Sequence, residues 1–224
     1  MRRRSVLAGI ASAASVGGVA SLAGCLNLGS GASGASLEDH PASRSMADQP
    51  YLGDPPRDAE KLVVAFEDPS CPTCRRFHSS GFQDLQAEII EPDSASFVYR
   101  PYRFTGRAWA TPAIHAVLET TARERTAAWD LLDFYYDEQS ALSSGSIAED
   151  TRDFLAENTE VDADAVVQAA EARAHRSILE TAESDGDEAG VTSTPTFYLF
   201  ADGQFTTELS GAQDVTAFEA GFEL

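Results

Sequence analysis

Cys71 and Cys74 lie within the run Phe66-Glu67-Asp68-Pro69-Ser70-Cys71-Pro72-Thr73-Cys74-Arg75-Arg76-Phe77. An apolar stretch (Leu62, Val63, Val64, Ala65) precedes it, and residues at helical spacing (Phe77, Phe82, Leu85, Ile89) follow. A Cys-x-x-Cys pair at a strand-to-helix junction has the spacing for thiol–disulfide exchange. There the first sulfur meets unpaired N–H groups and the positive end of the helix dipole, which favour thiolate over thiol. The second sulfur is one turn on, within bridging reach. Pro72 suits the first turn, where its missing N–H costs nothing. In that chemistry Cys71 forms the mixed disulfide and the deeper Cys74 resolves it.

A second chemistry uses the same atoms. His78 is one turn beyond Cys74, so Cys71, Cys74 and His78 form a conceivable copper-handling set, short of the fourth ligand a closed zinc site wants. His115 and His175 stand isolated on helical segments. A purely structural staple ranks last, because so short a disulfide loop stabilises little. No nucleophile elbow or phosphate loop is present.

The elements that must position the pair follow from periodicity. Strands are expected over 61–67 and 96–100, and a helix over 72–91 that breaks near Ser80-Gly81, since an interior glycine costs about 1 kcal/mol. From 111 to 189 there is no strand pattern. Thr111 is expected to cap a helix with Pro112 at its first position, and Asp162 to cap a later one. Strands over 196–200 and 205–209 join through the turn Asp202-Gly203, and Asp214 caps a last helix. The aromatic residues Trp109, Trp129, Phe134, Tyr135 and Tyr136 are expected to pack the helical block on the sheet rather than line a groove. The order is α/β and thioredoxin-like: a central mixed sheet with a helical insertion, about 107–189, between the second strand and the closing hairpin.

Three stretches together carry a family resemblance: Tyr51-Leu52-Gly53-Asp54, Phe66-x-Asp68-x-x-Cys71-Pro72-x-Cys74-x-x-Phe77, and Gly190-Val191-Thr192-Ser193-Thr194-Pro195-Thr196-Phe197. Over residues 50–222 the chain resembles the DsbA-like thioredoxin family, which includes exported disulfide oxidoreductases. The resemblance implies catalysis by Cys71 and Cys74, support from Pro72, Thr73, Thr194 and Pro195, a cis bond before Pro195, and no cofactor. Without it, Pro195 would be an ordinary strand-start proline, because X-Pro bonds are cis in only about 5–6% of cases. Two positions depart from the family. Thr73 stands where many members carry His, and Ala65 where some carry a buried acid serving proton transfer. Of Glu67 and Asp68, strand alternation puts at most one on the active-site side; Asp68 is expected to serve a loop or cap. Arg75 and Arg76 read as a solvated helix face.

The first 25 residues read as a targeting segment. Arg2, Arg3 and Arg4 precede a mildly apolar stretch ending Leu22-Ala23-Gly24-Cys25. Arg3-Arg4-Ser5-Val6-Leu7 resembles a twin-arginine export signal, and Leu-Ala-Gly-Cys resembles a lipobox that makes Cys25 the lipid-bearing residue. A protein on the outer face of the cell membrane follows, held through Cys25, with residues 26–56 as a flexible tether and residues 57–224 as the folded domain. Lipidation of Cys25 would leave Cys71 and Cys74 as the only thiols.

The chain has 224 residues, 16 basic against 36 acidic, and a net charge of -20. Lys61 is its only lysine. This balance excludes nucleic acid as a partner, since phosphate binding needs basic clusters. It fits a protein working in concentrated salt, where self-repulsion is screened within about 3 Å. The expected partners are client proteins with thiols or disulfides, a redox partner that resets the pair, and the membrane.

Overall fold

A computed structural model describes residues 35–92 and 95–223. The targeting segment, Cys25 and residues 26–34 lie outside these.

The sheet forms around β2 (Lys61–Glu67), whose neighbours are β3 (Ala95–Pro101) in parallel and β4 (Thr196–Ala201) antiparallel. The edges are β1 (Tyr51–Gly53), antiparallel to β3, and β5 (Gln204–Ser210), antiparallel to β4. The order β1-β3-β2-β4-β5 makes a mixed sheet. β2 is buried on both faces, hence its nearly continuous apolar sequence. Alternation divides its side chains: Val63 and Ala65 join the core beneath the helices, while Leu62, Val64 and Phe66 join the core on the other side. Glu67, two residues beyond Ala65, therefore belongs to the helical side.

β2 runs into α1 (Pro72–His78). Phe77 of α1 is completely buried, its ring 4.7 Å from that of Phe197 and 5.9 Å from that of Phe218. This cluster locks α1 onto the sheet; removing so large a buried ring typically costs about 3–5 kcal/mol. The expected break lies between α1 and α2 (Gly81–Leu85), which continues into a wider turn, Gln86–Ile90. Packing places it there: a Cβ on Gly81 would stand 2.1 Å from the Gln213 carbonyl oxygen, so only glycine allows the chains to approach.

The insertion consists of α3 (Ala110–Arg123), α4 (Arg125–Asp137), α5 (Ile147–Asn158), α6 (Ala163–Glu171) and α7 (Arg176–Ala189). Asp162 caps α6 through the Ala165 N–H, and Asp214 caps α8 (Val215–Phe222) through the Ala217 N–H. The hairpin turn holds Asp202 and Gly203 at φ 50° and 73°, as a tight turn matching strand twist requires. Trp109, Trp129, Tyr135 and Tyr136 are all buried in the packing of the insertion.

Two expectations are corrected. α3 begins at Ala110, with Trp109 rather than Thr111 at the cap position and no side-chain cap bond. Pro112 is thus the third residue of the helix, still within the first turn, where no N–H is missed. The expected tether over 26–56 is, from residue 35 onward, a packed strap. Leu37 N–H bonds the Gly203 carbonyl, Phe205 N–H bonds the Ala35 carbonyl, and Ala42 and Met46 are buried on the outer core with Val64, Phe66 and Phe200. His40 stacks on Phe205 at 4.6 Å. The strap shares this face of the sheet with α7, whose Ala189 joins the same buried cluster.

Candidate active site

Cys71 occupies the N-cap position of α1 with extended backbone (φ -81°, ψ 122°), and Pro72 follows at the first helical position. No side chain caps this end, so the N–H groups of the first turn remain available to the Cys71 sulfur. The cysteines of the described residues, Cys71 and Cys74, are both free thiols. Cys71 is 5% exposed and Cys74 fully buried. Their acidities are driven apart. Hydrogen bonding by the Cys74 thiol first, then by Thr194 and the backbone N–H groups of Cys74 and Thr73, outweighs burial and lowers the pKa of Cys71 to about 5. Cys74 is pushed well above the usual thiol range by burial first, then by the bond to Cys71 and the negative charge of Glu67. Arg75 and Arg76 are exposed, and hydrogen bonding rather than their charge heads the causes of the low Cys71 value.

Thr194 approaches from the opposite direction in the chain. α7 ends at Gly190, whose φ of 99° is the left-handed cap that terminates a helix, and Val191 N–H bonds back to the Gly186 carbonyl. The chain then turns toward α1, and the Thr194–Pro195 peptide is cis, as the resemblance implied. The Cys71 thiol donates to the Thr194 carbonyl oxygen at 3.3 Å. The buried Thr194 hydroxyl has no hydrogen-bond partner among the described residues.

The loop between β2 and α1 is held by side chains whose roles sequence patterning did not disclose. Asp68 is fully buried, and both its oxygens are used: Oδ1 accepts from the Ser70 N–H (2.8 Å) and hydroxyl (2.6 Å), Oδ2 from the N–H groups of Phe104 (2.9 Å) and Thr105 (2.8 Å). This is the expected loop role, extended to clamp the segment after β3 beside Cys71. Gln139, just beyond α4, donates to the carbonyls of Pro69 (2.9 Å) and Cys71 (3.0 Å). No local motif announces it; only the folded insertion brings it there.

Glu67 is the largest addition. It is fully buried, and its Oε2 accepts from His78 Nε2 at 3.0 Å and from the Tyr136 hydroxyl at 2.8 Å. His78 is 6% exposed, stacks on Tyr136 at 4.1 Å, and has its other nitrogen 3.5 Å from an Asp133 oxygen. Burial opposes the imidazolium charge, but Glu67 and Asp133 outweigh it and raise the pKa to about 9. The copper alternative finds no support in this arrangement. His78 faces Glu67, and no group of three or more potential metal-ligating side chains is found among the described residues.

A thioredoxin family model matches residues 45–218. The chain belongs to the thioredoxin family. Comparison with curated proteins finds no match. Among solved structures, this thioredoxin-family fold is similar to oxidised BdbD from Bacillus subtilis, at 21% identity and a TM-score of 0.69, over 87% of this chain and 97% of that one. It is similar to Wolbachia pipientis alpha-DsbA1 at 17% identity and TM-score 0.66 (84% and 94% covered), and to the catalytic domain of Proteus mirabilis ScsC at 22% and 0.61 (83% and 93%). The DsbA-like architecture expected from sequence is therefore the observed one.

Proposed function

We propose that this thioredoxin-family protein is an extracytoplasmic thiol–disulfide oxidoreductase that exchanges disulfides with client proteins through Cys71 and Cys74. The observation that carries the reading is the split acidity of the pair: an N-cap thiol brought to about 5 beside a buried thiol pushed far up. The thiol-disulfide exchange protein alpha-DsbA2 from Wolbachia pipientis has the same fold, which agrees with it. In the oxidised protein a client thiolate attacks the Cys71 sulfur, the Cys71–Cys74 bond breaks, and Cys74 leaves and takes up a proton. A second client thiolate then attacks the client sulfur of the mixed disulfide, and Cys71 leaves as a thiolate. The client loses two electrons and the pair gains them. Stabilising the Cys71 thiolate stabilises the reduced protein, so its disulfide is the oxidising form. This favours donation of disulfides to clients, although Thr73 supplies no imidazolium.

Phe104, 49% exposed, is the large apolar side chain left open among the described residues, on the loop that Asp68 clamps beside Cys71. It offers an apolar contact to an unfolded client. Under the proposed lipid on Cys25 and the proposed twin-arginine export signal, what matters is the placement of Ala35, which lies next to the Gly203 turn. That turn lies at the Lys61 end of β2, opposite to the end that leads into Cys71. A tethered protein would thus point its thiols away from the membrane.

The test is two-electron exchange with oxidised and reduced glutathione in strong salt. The wild type is expected to equilibrate and Cys71→Ser to be inert; equal activity in the two would refute the reading.

A further inference from the structure

A cavity of about 500 Å³ opens between the loop after β3, the start of α3 and the second half of α7. That is the size of a small-molecule site. Its polar lining is Tyr102, Arg103, Arg107, Thr111, Glu183 and Asp187. The loop is fixed beside the thiols. The Thr105 and Ser70 hydroxyls are hydrogen-bonded at 2.5 Å, and Ser70 immediately precedes Cys71. Asp68 holds the N–H groups of Phe104 and Thr105, and the Arg107 N–H lies 3.4 Å from the Thr105 hydroxyl.

Much of the charge in the cavity is cancelled internally. Arg103 grips Glu183 through two bonds of 2.6 Å. The Tyr102 hydroxyl donates to Asp187 at 2.6 Å, but burial first, and then Asp187, pushes that phenol up to about 12, so it brings no compensating charge. Two opposite charges are left: the Asp187 carboxylate and the Arg107 guanidinium, which has no ion pair among the described residues. Thr111, expected to cap α3, stands in the wall instead. A purely anionic ligand would meet Asp187, and a purely cationic one Arg107. A ligand that satisfies both carries a carboxylate and an ammonium group on one small frame, as an α-amino-acid head does. The setting favours such direct recognition. The net charge of -20 attracts no anion at long range, and in concentrated salt screening sets in within about 3 Å. Charge-assisted hydrogen bonds act at that range.

We propose that this cavity binds dipolar amino-acid disulfides of the glutathione type, with Arg107 on a carboxylate and Asp187 on an ammonium group, and that such disulfides re-oxidise the cysteine pair. The inference rests on the exchange reading of Cys71 and Cys74 and names the class of redox partner that resets them. The Cys71 thiolate attacks one sulfur of the bound disulfide, whose S–S bond breaks, and the first small thiol leaves with the electron pair. Cys74 then attacks the Cys71 sulfur, closing the internal disulfide and expelling the second small thiol. The pair loses two electrons and the small disulfide gains them. The two thiol products take up the two protons that the cysteines give up. Phe104 is not among the cavity walls, so its client contact is separate from this site.

The test compares second-order rate constants for oxidation of the reduced protein by oxidised glutathione and by uncharged hydroxyethyl disulfide, in strong salt. Their ratio cancels any general change in Cys71 reactivity. Arg107→Gln is expected to lower the ratio about tenfold, the loss of one hydrogen-bonded contact to a charged group, with Arg107→Lys recovering part. Asp187→Asn should lower it several-fold. S-methylglutathione, which cannot exchange, should slow oxidation of the wild type by hydroxyethyl disulfide in a saturable way. A wild-type ratio in Arg107→Gln, or no inhibition by S-methylglutathione, would overturn the proposal, and the second result does not depend on any variant folding. A wild type that reacts with neither disulfide would instead overturn the exchange reading.

Discussion

The Cys71 sulfur lies 3.3 Å from the carbonyl oxygen of Thr194, a residue 123 positions away in the chain. The contact joins two places next to the thiols where the backbone departs from regular structure: the N-cap of α1 and the cis peptide before β4. It also means that the helical insertion, which separates them in sequence, is closed at its base by the active site. Strands β2 and β4 are hydrogen-bonded neighbours, so the sheet itself brings the two together.

The first prediction concerns the Cys71 thiolate. With its pKa lowered from the usual 9.0 to about 5, the absorbance of thiolate near the far ultraviolet should titrate with a midpoint near pH 5. Alkylation should be fast and pH-independent above it. Because the folded value is the lower one, the reduced protein gains stability that is fully present above pH 9 and lost as pH falls through 5. The disulfide form should lack this dependence. A midpoint above 8 would remove the physical basis for Cys71 as the attacking thiol.

Asp68 should be indispensable to the loop. Asp68→Ala leaves the N–H groups of Ser70, Phe104 and Thr105 without their acceptor, at a cost of about 3 kcal/mol or more. Urea denaturation would show this as a lowered midpoint, with slower exchange because the loop no longer presents Cys71. Asp68→Asn, which keeps the shape but offers a single accepting oxygen, should lose less.

His78 predicts a pH dependence of the opposite sign. Its folded pKa is raised from 6.5 to about 9. The stabilisation is therefore complete below pH 6.5 and is lost as pH rises through 9. Its size is about 3 kcal/mol, at 1.36 kcal/mol for each unit. Chemical denaturation of the oxidised protein at pH 6 and pH 9.5 would measure it free of the Cys71 contribution. The difference should be strongly reduced in His78→Gln.

Phe104→Ser should separate clients from small thiols. Rates with glutathione are expected to stay within about twofold of the wild type, while KM for an unfolded, reduced protein rises several-fold, the loss of one buried apolar contact. Equal KM values would show that Phe104 does not touch the client.

The strand-to-helix junction at Cys71 was legible because Leu62–Ala65 and the spacing of Phe77, Phe82 and Leu85 each carry one period. The Asp202-Gly203 hairpin was legible because its backbone needs those residue types. The strap was not: His40, Ala42 and Met46 bury themselves without any repeating pattern, among glycines, serines and acids that individually favour loops. β1, at three residues, is too short for alternation to appear. Glu67 shows the remaining gap most clearly. Alternation allowed one of Glu67 and Asp68 on the active-site face, but the ion pair with His78 depends on how α1 and α4 pack. The same histidine that spacing offered as a metal ligand is thereby a partner of Glu67.

The central claim is that Cys71 receives the client and Cys74 releases it, and trapping tests it most directly. Cys74→Ser, incubated with oxidised glutathione in strong salt and analysed by intact mass, should carry a single glutathione on Cys71 that persists until dithiol is added. In the wild type the same adduct should resolve to the internal disulfide. A Cys74→Ser protein that forms no adduct, or whose adduct maps away from Cys71, would contradict the account.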